Sequence, residues 1–170
     1  MGTLPSDACT ACLHAWLTRG AVAVLLALLA LLASACGDSQ PAGGSFGNTV
    51  PITLPDGSVI HADLAGTPEE QARGLMFRRE LAPDRGMIFP FADSQLRPFW
   101  MYQTLIALDI IWMNEQGVVV EVSADTPPCR SADPGECPNY GGAVASQYVL
   151  ELAAGQAAAH QIKVGDRITF

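Results

Sequence analysis

Two carboxylates sit inside apolar runs of this chain, Asp109 in "LDIIWM" and Glu151 in "YVLEL". Burial in such runs raises a carboxyl pKa, and shifted carboxyls in a cleft are the raw material of general acid–base chemistry. With a neighbouring arginine, Arg73 or Arg78, the pair would suit a hydrolase or lyase. The plainer alternative is that each acid pairs with an arginine or lies at a strand edge.

Other chemistries have less to work with. Nucleophilic catalysis needs a Ser or Cys beside a base that a third group orients. After the N-terminal leader the chain holds only His61 and His160, one in a strand-like run and the other in an alanine-rich segment, and there is no G-x-S-x-G. No glycine-rich phosphate loop supports nucleotide binding. Met76, Met87, Met101 and Met113 each lie beside aromatic residues, and converging thioethers would hold Cu(I). Methionine also fills gaps against aromatic rings, and core is the preferred reading of the four. No cofactor or metal is therefore expected.

The segment "PFWMYQT" offers a binding chemistry instead. Pro98 interrupts the preceding run, and Tyr102, Gln103 and Thr104 follow Trp100 as polar groups at a strand end. An aromatic wall with hydrogen-bonding groups at its mouth is a usual makeup for a small-molecule, sugar or peptide pocket. Trp100, Tyr102, Gln103 and Thr104, with Arg73 and Arg78 as charged partners, are the candidate ligand-binding residues.

Composition narrows the partners. The 170 residues suffice for one domain, and nine Lys and Arg against seventeen Asp and Glu leave a net charge of −8. With no basic run to neutralise phosphates, nucleic acid is excluded as an expected partner. At the N-terminus Arg19 precedes the apolar run Ala21–Ala33, then Ser34, Ala35 and Cys36. A positive flank, an apolar segment and small residues at a cleavage site make an export signal. "LLASAC" resembles the lipobox of bacterial lipoproteins, with Ala33 where that motif usually has Leu. The resemblance implies residues 1–35 as signal and Cys36 as an acylated anchor, carrying palmitate or a similar chain, to a cell-envelope membrane. The protein is then exported. The weakly charged leader also leaves room for a true start inside Met1–Gly20. Residues 36–48, "CGDSQPAGGSFGN", read as a flexible tether, and 49–170 as the folded domain.

Processing changes the cysteine arithmetic. Cys9 and Cys12 spell C-x-x-C but precede the signal and would be discarded. Cys129 and Cys137 remain as an even pair on the oxidising side of a membrane, and a disulfide is expected between them. Without a nearby histidine they do not suggest half of a zinc site.

These residues must be positioned by short elements. Pro55-Asp56-Gly57-Ser58 punctuates a first hairpin, and "TPEEQARG" places Thr67 as N-cap, Pro68 at the first helical position and Glu70 as its capping-box partner, with Gly74 as stop. "GMIFPF", "PFWM" and "LDIIWM" read as strands. Asn114–Gly117 turns the last of these back into "VVVEV", and "SQYVLELAAG" is another strand. "QAAAHQI" is a brief helix and "DRITF" a closing strand. Along Asp109–Met113, Ile110 and Trp112 share one face and Asp109, Ile111 and Met113 the other, which marks a strand buried on both sides. The fold class is α+β, a mostly antiparallel sheet or small barrel with one or two short helices.

In this order "EEQARGLMFRREL", "RGMIFPF", "FWMYQT", "LDIIWMNEQGVVVEV", "YVLELAAG" and "KVGDRI" resemble successive blocks of the domain-of-unknown-function 192 family, over about Val50 to Phe170. The resemblance implies a compact, mostly β domain, often exported or lipid-anchored, and no established activity. Where that family usually has Lys and Asn after "FWM", this chain has Tyr102 and Gln103. The expectation is a lipid-anchored binding or accessory module whose pocket lies at Trp100. The carboxylate enzyme and the methionine copper site are the alternatives.

Overall fold

The computed structural model describes residues 47–170. Asp56 accepts hydrogen bonds from the Ser58 amide and hydroxyl, and Gly57 takes φ 85°, so "PDGS" turns β1 (Thr49–Thr53) antiparallel onto β2 (Val59–Leu64). The capping box forms as the sequence predicts. Thr67 accepts the Glu70 amide and Glu70 accepts the Thr67 amide, which starts α1 (Pro68–Arg73); Gly74 ends it. This short helix carries the chain over to β3 (Arg85–Gln95), which lies parallel to β2. It is the one parallel pair in a sheet that is otherwise antiparallel, as the expected mostly antiparallel sheet allows, because a parallel neighbour needs a crossover and α1 supplies it.

After β3 come β4 (Phe99–Trp100), β5 (Leu108–Met113), β6 (Val119–Thr126), β7 (Asn139–Tyr140), β8 (Ser146–Ala153) and the single turn of α2 (Gln156–Ala159). The main sheet runs β1-β2-β3-β8-β5-β6, and β4 pairs with β7 in a separate two-stranded sheet. Between β6 and β7 the loop is closed by the expected Cys129–Cys137 disulfide, with its Cα atoms 5.6 Å apart.

The expected closing strand "DRITF" does not form as one. Its residues make two isolated bridges, Thr53 with Thr169 and Val118 with Arg167, so the segment touches both edges of a sheet that stays open.

Every residue of β5 is buried, and alternation divides them as the sequence predicts. Ile111 and Met113 join Ile52, Ile60, Ile88, Leu150 and Ile168 in one core. Leu108, Ile110 and Trp112 join Leu75, Met87, Phe89, Met101 and Val149 in a second, on the other face. The β4/β7 ribbon covers this second core. Phe99 stacks edge-on against Phe89 at 5.1 Å and Trp112 at 6.0 Å, and the Trp112 indole donates to the Arg97 carbonyl at 2.8 Å. Gly141 lies flat on that indole, since a Cβ there would come within 2.3 Å of the ring.

The proposed signal and nearly all of the proposed tether lie outside the described residues. Among those described, no helix is long and apolar enough to cross a membrane.

Candidate functional site

Glu151 belongs to the middle of β8, its Cα opposite Met87 of β3 on one side and Ile110 of β5 on the other. Those partners belong to the second core, so strand alternation delivers a carboxyl into an apolar layer. The layer is not sealed above it. Between the C-terminal end of α1 and the β4 ribbon lies a pocket of about 270 Å³, lined by α1 residues Gln71 to Arg73, by Gly74 to Met76, by Phe89 and Phe91 of β3, by Leu96 to Trp100, and by Tyr102, Thr104 and Glu151.

Glu151 is only 5% exposed, and its Oε2 has no hydrogen-bond partner among the described residues. Burial pushes its pKa from an ordinary 4.5 up to about 8, against the opposing pull of the nearby Arg78. That pull is weak because the Arg78 charge is already engaged. Its guanidinium pairs at 2.5 Å with the buried Asp63, which Arg85 also contacts at 3.0 Å. At neutral pH the pocket therefore presents a neutral carboxylic acid, able to donate one hydrogen bond and accept another.

Gly74 guards the approach to this acid. It holds φ 46° at the end of α1, and a Cβ added there would lie 3.9 Å from Glu151 Oε2 and 3.5 Å from the Phe89 ring. Gln71 fixes the same wall, its amide donating to the Ala65 and Pro90 carbonyls. Arg97 lies across Phe91 at 3.8 Å, donates from Nε to the Ser146 carbonyl and pairs through Nη2 with Asp93.

The "FWM" block is brought to this pocket, but not as a unit. Trp100, 42% exposed, stands at the mouth with Tyr102 beside it, ring centroids 5.5 Å apart. The Tyr102 hydroxyl donates to the Ala132 carbonyl of the disulfide loop at 3.4 Å and accepts from the Gln103 amide at 3.2 Å. Thr104 lines the pocket, and Met101 is core. Gln103 does not line it. Its backbone sits at φ 54° while its carbonyl accepts the Phe77 amide, a left-handed turn that asparagine enters more easily than glutamine. The asparagine usual at this place in the resembled family thus has a backbone reason. Of the two expected arginines, Arg73 lines the pocket and Arg78 acts from behind, bound to Asp63.

The two-carboxylate reading is corrected by the same alternation. Asp109 faces the first core, where Oδ1 accepts the Asp125 amide at 2.8 Å and Oδ2 the Ala157 amide at 2.7 Å. It caps α2 and holds an irregular turn of β6, on the opposite side of the sheet from Glu151. The pair cannot converge on one substrate. Of the four methionines, Met113 lies in the first core, Met87 and Met101 in the second, and Met76 at the pocket wall. His61 is exposed on β2.

His160 lies in a cluster that the sequence reading missed. Its Nδ1 is 3.1 Å from Ser58 Oγ and 2.8 Å from Asp56 Oδ2. Bonds from Ser58 and then from His160 hold Asp56 well below the usual carboxylate range. Ser, His and Asp are all present, yet serine and aspartate meet the same ring nitrogen, whereas a proton relay needs one at each. The cluster staples the β1–β2 turn to the end of α2.

Also missed were Gly74, Phe91, Leu96 and Arg97. The signal for Arg97 was its place directly ahead of "PFWM"; for Gly74 no local signal pointed to Glu151.

Comparison with known families matches residues 52–170 to the pattern described as "Uncharacterized ACR", domain of unknown function 192. The chain belongs to this family. A crystal structure of a protein of unknown function from Novosphingobium aromaticivorans DSM 12444 is 34% identical, with a TM-score of 0.65 over 81% of this chain and 94% of that one. A provisionally named transcription regulator from Sinorhizobium meliloti 1021 is 28% identical, with a TM-score of 0.60 over 71% of this chain and 91% of that one. No curated protein matches. The family description assigns domain of unknown function 192 proteins no activity.

Proposed function

We propose that this domain of unknown function 192 protein is a non-catalytic binding module, exported and held at a cell-envelope membrane by a lipid on Cys36. The observation that carries the binding role is the pocket at Trp100. Its lining joins aromatic and aliphatic side chains to a polar set of Gln71, Arg73, Arg97, Thr104 and Glu151, and the nearly buried Glu151 has an unused hydrogen-bonding oxygen. Polar groups converging beside aromatic walls in a concavity are the usual means by which a ligand site fixes orientation. With Asp109 committed to two backbone amides, Glu151 is the one acid among the described residues that line the pocket.

The sequence "LLASAC" and the Cys129–Cys137 disulfide support export, since disulfides persist outside the reducing cytosol. A regulator of transcription is disfavoured by the net charge of −8 and the absence of a basic run.

Thermal unfolding of the full chain, disulfide intact, against sugars, short peptides, cell-wall fragments and small organic acids tests the binding role. A ligand at 100 times its Kd adds about 2.7 kcal/mol and raises the midpoint by several degrees. We expect a hit that Trp100→Ala abolishes while leaving the unliganded midpoint nearly unchanged. No hit with any class would remove the binding role. Cys36→Ala should move the protein from the membrane to the soluble fraction, and an unchanged distribution would remove the anchor.

A further inference from the structure

The pocket's charge is out of keeping with the chain around it. In a protein of net charge −8, the pocket lining holds Arg73 and Arg97 and only one acid, Glu151. The Arg73 side chain, exposed in the last turn of α1, makes no hydrogen bond or ion pair with any described residue. Arg97 spends Nε and Nη2 on Ser146 and Asp93 and leaves Nη1 uncommitted. A cation would meet both arginines and the field of Arg78. A wholly apolar ligand would leave Arg73, Arg97 Nη1 and Glu151 Oε2 without partners.

We propose that the pocket binds a small monocarboxylate with an aromatic or branched apolar body, its carboxylate sharing one proton with Glu151 and facing Arg73 and Arg97. This rests on the binding role inferred above and names the ligand class for the same site. A carboxylic acid against a carboxylate is a short, charge-assisted hydrogen bond, and it supplies the partner that Oε2 lacks. The apolar body then lies among Phe89, Phe91, Leu96 and Trp100. At about 270 Å³ the space falls just below the roughly 300 to 1,000 Å³ of drug-sized sites, which favours a compact acid.

The proton makes binding pH-dependent. The charged or titratable groups around Glu151 are Arg78, whose field reaches it, and Arg73, Arg97 and Tyr102 of the lining; the cross-strand neighbours Met87 and Ile110 carry no charge. Above about pH 8 Glu151 ionises, and two carboxylates without a proton repel. Affinity should then fall about tenfold per pH unit.

Trp100 at the mouth provides a fluorescence readout on the full chain, and calorimetry an independent one. The probes are benzoate, phenylacetate and 3-methylbutanoate, with benzamide, phenylacetamide and benzylamine as matched controls, from pH 6 to 9.5. We expect at least one acid to bind ten times or more tightly than its amide or amine, with affinity lost above pH 8. Glu151→Gln, which keeps an N–H donor, should bind the acid within several-fold of wild type and lose that pH dependence; Arg73→Ala should weaken it several-fold. Trp100-dependent binding of an amide or amine as tight as the acid's would overturn the carboxylate assignment and leave the binding role standing. An acid whose affinity is flat to pH 9.5 in the wild type would overturn the shared proton. If no probe binds while another class shifts the thermal midpoint, the carboxylate assignment fails alone. Silence in both experiments removes both readings.

Discussion

Glu151 is held as a neutral acid by burial rather than by a partner. Burial is the larger influence on it, and Arg78 cannot offset that influence while Asp63 claims its guanidinium. The consequence for stability has a definite sign. The folded chain keeps the Glu151 proton up to about pH 8, whereas the unfolded chain releases it near the ordinary 4.5. Between those values the folded state binds more protons, so stability falls as pH rises, by up to about 1.4 kcal/mol per pH unit. The contribution is whole below pH 4.5 and is lost through pH 8. Urea unfolding of the wild type from pH 5 to 8 should show a decline of a few kcal/mol, and Glu151→Gln should flatten it. Parallel curves for the two proteins would mean that Glu151 is ionised and solvated in the fold. The lowered Asp56 and Asp166 do not confuse this test, because each acts as pH falls through the ordinary carboxylate range.

Among the elements, α2 is a single turn that cannot hold itself together, and Asp109 does much of the holding. Its carboxylate accepts one amide from α2 and one from β6, two donors that would otherwise be orphaned in or beside the first core. Asp109→Ala should cost about 2 to 4 kcal/mol, since leaving buried donors unsatisfied loses more than the bonds alone are worth. Asp109→Asn, with one accepting oxygen, should fall between. Chemical denaturation ranks the three, and an alanine variant as stable as the wild type would show that water satisfies both amides. The contrast between Asp109 and Glu151 also marks how far sequence carries. The α1 capping box, both hairpin turns and the two faces of β5 were legible because each depends on residues within a few positions. The disulfide was legible from parity and the expectation of export. The alternation that separates Ile110 from Ile111 implies that Asp109 faces the first core, but which face Glu151 shares depends on register between β5 and β8, distant in sequence. The pocket needed more still: α1 lies beside β4 only because β2 and β3 are parallel and the helix spans the crossover. Gly74 and Arg97 were thus invisible as neighbours, while Arg73 was named only as a charged partner and Trp100, Tyr102 and Thr104 stood out by composition alone.

At the scale of the molecule, the open sheet leaves β1 and β6 as edges, and unpaired edges recruit other chains. Both edges are managed by one short segment. Thr53 and Thr169 exchange amide and carbonyl bonds at 2.8 and 3.1 Å, the Ile168 amide donates to Gly117 and the Val119 amide to the Asp166 carbonyl. Ile168 meanwhile enters the first core, and Phe170 stacks on Tyr148 at 4.8 Å. A strand of full length would close a barrel; two bridges blunt the edges without doing so. Two variants separate plug from cover. Ile168→Ala removes the core contact but keeps the backbone bonds, so it should lose about 2 to 4 kcal/mol and remain monomeric. Stopping the chain at Asp166 removes the plug and most of the edge bonds together, and should add self-association to a comparable or larger loss of stability. Sedimentation of both variants at matched concentration, below their unfolding midpoints, reads the difference. If the shortened chain is as monomeric as Ile168→Ala, the segment serves the core alone, and the edges are kept apart by the polar residues that β1 and β6 already expose.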